Sequence, residues 1–273
     1  MSRPMMVAAA AAALLMPAFI GPALAGPGLD AVKARGSLIC GTGTGTAGYM
    51  LADSTGKWKG LSVDVCRAVA AAIFGDAEKV KYTPLTSQQR FTAIQSGEVD
   101  MLVGNATWTL TRDTALGLEF TGVYYYDGQS FLVPKKLGVK SAKELDGATV
   151  CVAPGTTTEL NLADYFRANK MTFKPVVIEK VDEIRAAFFA GRCDVYTTDA
   201  SSLAATRAAN VPPPRTFDDF VILPEIISKE PLGPVVRHGD QQFADIVRWA
   251  LYAMIEAEEY GIESKNEIGR AHV

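Results

Sequence analysis

Three stretches of this chain carry the residue types that grip the two ends of a zwitterion. The first is Gly104-Asn105-Ala106-Thr107-Trp108-Thr109-Leu110-Thr111-Arg112-Asp113, directly after the apolar residues 101–103. Hydroxyls at Thr107 and Thr109 with a guanidinium at Arg112 suit a carboxylate, which arginine can take through two parallel N–H bonds. An arginine on a solvated helix start would have the same composition. The second stretch is Gly155-Thr156-Thr157-Thr158-Glu159. Thr156-x-x-Glu159 is a capping box, and the free N–H groups of such a helix start also attract anions. The third, Asp194-Val-Tyr-Thr-Thr-Asp199, is a short strand ending in an acid. Asp199 either accepts from an ammonium group or caps a helix over 200–209. Together the three supply an anion site and a cation site, the chemistry of an α-amino acid.

The elements that must hold these residues repeat along the chain. Ser37-Leu-Ile-Cys40 runs into a Gly/Thr loop, and Ala148-Thr-Val-Cys-Val152 runs into Pro154-Gly-Thr-Thr-Thr158. Later in each half an amphipathic helix ends at glycine and leads into a strand. These helices are expected at 87–96, with Phe91 and Ile94 on one face, and at 181–190, with Ile184, Ala187 and Phe188. Gly97-x-x-Asp100 and Gly191-x-x-Asp194 read as one joint used twice. Further strands are expected at 80–82 and 176–178. Alternating strands and helices predict parallel sheets wound with helices, hence two α/β lobes. Two extended segments, 130–133 and 231–236, are the expected connections between lobes. A long amphipathic helix at 241–260 is expected to pack back on the first lobe.

Gly43-Thr-Gly45-Thr-Ala-Gly48 matches a dinucleotide-binding pattern, yet that fingerprint needs a helix opening directly at the loop. Here Asp53-Ser-Thr-Gly56 is a turn signal and the helical pattern resumes only near Val63. The loop instead offers backbone that can approach a small ligand, with Tyr49 as an aromatic face at its end.

Composition narrows the rest. The 273 residues carry 27 Lys+Arg against 30 Asp+Glu, a net charge of −3, which argues against a nucleic-acid partner held by a basic patch. Two histidines, His238 and His272, leave little material for a histidine metal cluster or a Ser-His-Asp relay. Arg3, the apolar run 7–20 and Ala23-Leu24-Ala25 form a secretory signal with cleavage expected after Ala25. That run of 14 residues is shorter than the ~20 of a spanning helix. Cleavage would remove Arg3 alone among charged residues. Export implies an oxidising compartment, so the four cysteines read as disulfides rather than a zinc site. Cys40 with Cys66 and Cys151 with Cys193 keeps each bridge inside one half, one of three possible connectivities.

The chain resembles the type II periplasmic amino-acid-binding proteins of ABC importers, bacterial extracellular solute-binding proteins of family 3, and closely resembles their general L-amino-acid branch. The likeness is carried by Gly60-Leu-Ser-Val-Asp-Val-Cys-Arg-Ala-Val-Ala-Ala-Ala-Ile-Phe-Gly-Asp76, Arg90-Phe-Thr-Ala-Ile-Gln-Ser-Gly-Glu-Val-Asp100, Thr107-Trp-Thr109 with Arg112-Asp113, Tyr125-Tyr-Asp-Gly128, residues 151–162 and Gly191-Arg-Cys-Asp-Val-Tyr-Thr-Thr-Asp199. It implies two doubly wound α/β lobes on a two-strand hinge, lobe 1 from 26–133 with 234–266 and lobe 2 from 134–233. It also implies a monomer without cofactor or metal that captures free L-amino acids in the periplasm and delivers them to a membrane permease. Thr107, Arg112 and the backbone at Thr156 and Thr157 would take the ligand carboxylate, and Asp199 the amine. Tyr49 and Trp108 would border the side-chain space, with Asn105 and Thr109 in the same set. Arg90 matches a position that contacts the side-chain carboxylate in relatives preferring acidic ligands. Gly104 stands where that branch has an arginine, and loop 42–47 departs from its Gly-Leu-Pro pattern. The family continues past Asn266, so Glu267-Ile-Gly-Arg-Ala-His-Val273 is expected to be a non-native tail on a truncated lobe 1. The rival reading is an enzyme on the same fold, a periplasmic dehydratase of cyclic carboxylic acids. A sensor-input module is a second rival, and would be marked by a downstream membrane or signalling segment.

Overall fold

The computed structural model describes residues 26–262. The expected signal peptide and non-native tail lie outside the described residues. The first part of the chain runs α1 (Pro27–Arg35), β1 (Leu38–Thr42), β2 (Leu51–Ala52), β3 (Trp58–Lys59), α2 (Leu61–Phe74), β4 (Val80–Pro84), α3 (Arg90–Ser96), β5 (Met101–Leu102), α4 (Leu110–Ala115) and β6 (Leu118–Phe120). It continues through β7 (Tyr125–Asp127), β8 (Gln129–Pro134), β9 (Thr149–Val152), α5 (Thr157–Ala168), β10 (Lys174–Val177), α6 (Val181–Phe189), β11 (Val195–Asp199), α7 (Ala200–Ala209) and β12 (Phe220–Ile222). It returns through β13 (Glu230–Leu232) and β14 (Val235–Arg237) and ends in α8 (Gln241–Glu259).

Two five-stranded sheets result, ordered β4-β1-β5-β14-β6 and β10-β9-β11-β8-β12. In each, the first three strands are parallel and the fourth runs antiparallel to its neighbours. The repeated joint has the same physical content in both. Gly97 and Gly191 take φ of +81° and +78°, the left-handed turn that ends a helix without strain only at glycine. The acid three residues on then ties its strand to the neighbouring one. Asp100 accepts from the Ile39 N–H at 2.6 Å and Asp194 from the Thr149 N–H at 2.8 Å.

The crossing between lobes differs from the sequence expectation. Residues 130–133 lie wholly inside the second sheet, between β11 and β12, and are fully buried. Ser-Phe-Leu-Val is a core strand covered on both faces, which is why it reads as a near-continuous apolar run. This places residues 129–133 with the second lobe rather than the first. The chain crosses instead at β7 and β13, which pair antiparallel with Glu230 opposite Asp127. Val235 and Val236 of the second expected connection already belong to the first sheet. At the crossing Gly233 approaches so closely that a Cβ there would meet the Gly122 carbonyl oxygen at 2.1 Å.

Helix α8 packs on the first lobe. Phe243, Ala244, Val247 and Leu251 share a core with Leu29, Val32, Val69 and Met101. The second lobe has apolar clusters built around Phe131 and Phe166 and around Phe188 and Phe220. Each lobe holds one disulfide as paired from sequence, Cys40–Cys66 with Cα atoms 6.2 Å apart and Cys151–Cys193 with 5.6 Å. The bridges tie α2 to β1 and the turn between α6 and β11 to β9. Among the described residues no helix is long and apolar enough to cross a membrane.

Candidate ligand-binding site

The carboxyl ends of β1, β5, β9 and β11 face one another across the space between the lobes, where wound sheets bind ligands. A cavity there is lined from the first lobe by Thr42, Gly43, Thr44, Thr86, Arg90, Gly104, Asn105 and Thr107. The second lobe contributes Thr156, Thr157, Glu179, Arg185, Asp199 and Ser202. Of the residues singled out in the sequence, Arg90, Asn105, Thr107, Thr156, Thr157 and Asp199 therefore meet at one cavity.

Asp199 ends β11 and precedes α7, but its side chain does not cap that helix. The buried carboxylate accepts no hydrogen bond among the described residues and faces the cavity. Burial, with Asp127 and Glu230 nearby, pushes its pKa up to about 8, although Arg90 and Arg112 pull the other way. Opposite it, Arg90 is buried and gives one guanidinium nitrogen to the carbonyls of Gly104 at 3.2 Å and Asn105 at 3.4 Å. Burial, then the neighbouring Arg112 charge, pushes Arg90 down to about 9. Asn105, at φ +49°, is fixed by Tyr124, which donates to its side-chain oxygen at 3.1 Å and accepts from its N–H at 3.1 Å.

Arg112 and Thr109 sit one layer back from the cavity wall. Arg112 is buried and donates to the Thr107 carbonyl at 2.9 Å, with its guanidinium 4.9 Å from the Phe91 ring centre. Burial pulls its pKa down, while Glu230 and Asp199 favour its charge. It is not the solvated arginine that composition alone also allowed. Thr109 caps α4 by accepting from the Arg112 N–H at 3.3 Å, so its hydroxyl serves the helix.

Trp108 and Tyr49 do not border the cavity. Trp108 is 38% exposed and stacks on Phe120 with ring centres 5.7 Å apart. Thr107 and Trp108 lie on extended backbone against β13, where neighbouring side chains point to opposite faces, and Thr107 takes the cleft side. Tyr49 donates from its hydroxyl to Ser201 of the second lobe at 2.9 Å and meets Tyr125 edge-on. It bridges the lobes. Gly60 positions this tyrosine, since a Cβ there would fall 2.5 Å from the Tyr49 carbonyl.

The capping box at Thr156 is present in modified form. Thr156 accepts from the Glu159 N–H at 3.0 Å, while Glu159 reaches the N–H of Gly155 at 2.9 Å rather than that of the cap itself.

Three residues that make contacts at the cleft or the crossing were not anticipated from the sequence. Glu179 accepts from Thr86 across the cleft at 2.6 Å, and Arg185 donates across it to the Gly45 carbonyl at 2.8 Å. Arg185 lies on the polar face of α6, where a sequence reading places a solvated charge. Glu230 is completely buried in β13 and accepts from Thr157 and Asn161 at 2.8 Å each. Unpartnered polar atoms also gather at the cavity, namely Nε of Arg90 and Arg185 and Oγ1 of Thr42 and Thr44.

Known proteins resemble this chain. The chain is 59% identical over 249 residues to the glutamate/glutamine/aspartate/asparagine-binding protein BztA of Rhodobacter capsulatus, covering 91% of this chain and 72% of that one. It is 55% identical over 260 residues to the general L-amino acid-binding periplasmic protein AapJ of Rhizobium johnstonii, covering 92% and 75%. A periplasmic binding protein structure from Brucella ovis with glutathione bound superposes with a TM-score of 0.82 at 57% identity, over 87% of this chain and 74% of that one. These likenesses agree with the two-lobed type II periplasmic binding fold found here. The family of bacterial extracellular solute-binding proteins, family 3, matches residues 38–265, and the chain belongs to it.

Proposed function

We propose that this protein captures free L-amino acids in the periplasm and hands them, unchanged and as a monomer, to the permease of an ABC importer. The observation that carries this reading is Asp199, a buried carboxylate that accepts no hydrogen bond among the described residues, facing a cavity whose first-lobe wall holds buried Arg90 with Arg112 one layer behind. Such a group is costly unless a cation meets it. The ligand ammonium goes to Asp199. Its carboxylate goes to the corner made by Thr107 and the start of α5, with the Arg112 charge directly behind Thr107.

The ligand side chain then extends toward Arg90, Thr42, Thr44 and Arg185. Their unpartnered N–H and O–H groups favour a side chain rich in acceptors, a carboxylate or carboxamide. Glutamate, glutamine, aspartate and asparagine, which the Rhodobacter relative is named for binding, fit that chemistry. Glutathione, present in the Brucella structure, offers a free α-amino-acid head on its γ-glutamyl residue. It belongs in the same test.

Calorimetric titration with L-glutamate, L-glutamine, L-leucine, L-lysine and glutathione tests the reading. Tightest binding is expected for the acidic and amide ligands. Absence of binding to every α-amino acid would end it. The dehydratase reading retains one attraction, since an acid with a pKa near 8 can donate a proton. Mass spectrometry of the ligand recovered after incubation separates the two, and unaltered ligand is expected.

A further inference from the structure

Glu230 takes hydrogen bonds from three parts of the molecule. Thr107 of the first lobe donates its hydroxyl to Oε2. Thr157 of the second lobe donates to the same oxygen at 2.8 Å. The other oxygen, Oε1, accepts from Asn161 of α5 at 2.8 Å and from Ser228 at 2.6 Å. The two threonine hydroxyls are themselves 3.3 Å apart. Glu230 sits on β13, one of the two strands on which the chain passes between lobes.

Each hydroxyl owns a single proton. A proton given to Glu230 is therefore withheld from any other acceptor. Thr107 is expected to greet a ligand carboxylate through its side chain and Thr157 through its backbone, and here both hydroxyls are turned to a resident carboxylate. Their meeting at one atom also requires the lobes to be together, because they belong to opposite walls. If the lobes rotate apart about β7 and β13, Oε2 loses at least one donor, while Oε1 keeps Asn161 and Ser228.

We propose that Glu230 is a positioning residue that couples ligand capture to closure of the cleft, by gathering a hydroxyl from each lobe onto one carboxylate oxygen of the crossing strand. The coupling rests on the amino-acid reading only for the identity of the ligand. The crossing-strand carboxylate itself favours the closed arrangement, and with both hydroxyl protons on Glu230 the incoming carboxylate is left to the backbone N–H groups at the start of α5, with the Arg112 charge behind Thr107. Arg112, on the Thr107 carbonyl, offsets the repulsion between the two anions. A ligand that binds the closed form alone loses affinity in proportion to any fall in the closed population.

The test compares Glu230→Gln with Asn161→Ala, which removes a bond between α5 of the second lobe and the crossing strand and leaves both threonine contacts in place. L-Glutamate is the probe, read by calorimetry, and small-angle scattering reports the radius of gyration with and without it. Glu230→Gln is expected to weaken L-glutamate binding about tenfold and to enlarge the radius of gyration without ligand. Saturating ligand should restore the wild-type compact value. Asn161→Ala should lower Tm while leaving the radius unchanged. Equal affinity in Glu230→Gln and wild type, or losses in Glu230→Gln no larger than in Asn161→Ala, overturns the proposal. If Glu230→Gln does not fold, Thr107→Val, Thr157→Val and the double variant form a cycle. Non-additive effects on the radius are expected, and additive ones refute the coupling. If no amino acid binds at all, the scattering without ligand still decides it, since an unchanged radius in Glu230→Gln is then the refuting result.

Discussion

At the scale of single residues, Asp199 governs the pH behaviour of the cleft. Its carboxyl is pushed up to about 8 by burial, Asp127 and Glu230, against the pull of Arg90 and Arg112. At pH 7 the carboxyl in the unbound cleft is largely protonated, whereas an ammonium ligand requires it ionised. Capture of L-glutamate at pH 7 should therefore release close to one proton, and calorimetry in buffers of different ionisation enthalpy measures this. Asp199→Asn should abolish both the release and most of the affinity. The folded protein also holds this proton over a range where the unfolded chain has lost it. Stability from this group is thus present at acid pH and lost as pH rises from the ordinary carboxylate range through about 8. Thermal unfolding between pH 5 and 9 should show Tm falling less steeply in Asp199→Asn than in wild type. Arg112→Ala should weaken L-glutamate by about 2–5 kcal/mol, the range for removing one member of a buried charged contact. The meeting of Asp199, Thr107, Thr156 and Thr157 at one cavity was readable from residue type and strand end. Trp108 was not, because one-dimensional proximity to Thr107 hides that extended backbone sends the two side chains opposite ways. Glu230 was invisible for a related reason. Ile227-Ser-Lys-Glu-Pro-Leu232 looks like a solvated connection, and nothing in it announces four converging donors.

At the scale of elements, the two halves were legible because helix periodicity and glycine stops are local. Gly97-x-x-Asp100 and Gly191-x-x-Asp194 each fix a helix end and a strand pairing within four residues. The crossing was harder to find. Tyr125–Asp127 has neither alternation nor an apolar run, while residues 130–133, with an apolar run, turned out to be core. Helix α5 brings Thr156 and Thr157 to the cleft, so its start both caps the helix and lines the cavity. Thr156→Ala removes the acceptor for the Glu159 N–H and should cost about 1 kcal/mol, seen as a lower Tm. Replacing Cys151 and Cys193 together by serine frees the turn between α6 and β11 from β9 and should cost about 2–4 kcal/mol in denaturant unfolding.

At the scale of the whole molecule, three contacts cross the cleft away from Glu230 and Thr107, and a fourth braces one of them. Tyr49 meets Ser201, Thr86 meets Glu179, Arg185 meets Gly45, and Ser201 in turn leans on Asp127 of the crossing ribbon. All but the last bind one lobe to the other, so they form only on closure and add to whatever the ligand contributes. Arg185→Gln should speed ligand dissociation more than it slows association, measurable by stopped-flow with L-glutamate. The sheets themselves stay rigid in such a motion, since the crossing consists of two three-residue strands and the close passage of Gly233 over Gly122.

The return of α8 to the first lobe has a consequence for how the polypeptide is assembled in time. The second sheet is built from one uninterrupted stretch, from Gln129 to Ile222, whereas the first must wait for β14 and for the apolar stripe of α8. Leu29, near the beginning, donates its N–H to Asp240 at 2.7 Å, a partner 211 positions away. An emerging chain can thus finish its inner half while the outer half still lacks its keystone. Pulse-labelled amides of β9 and β11 should gain protection before those of β1 and β5.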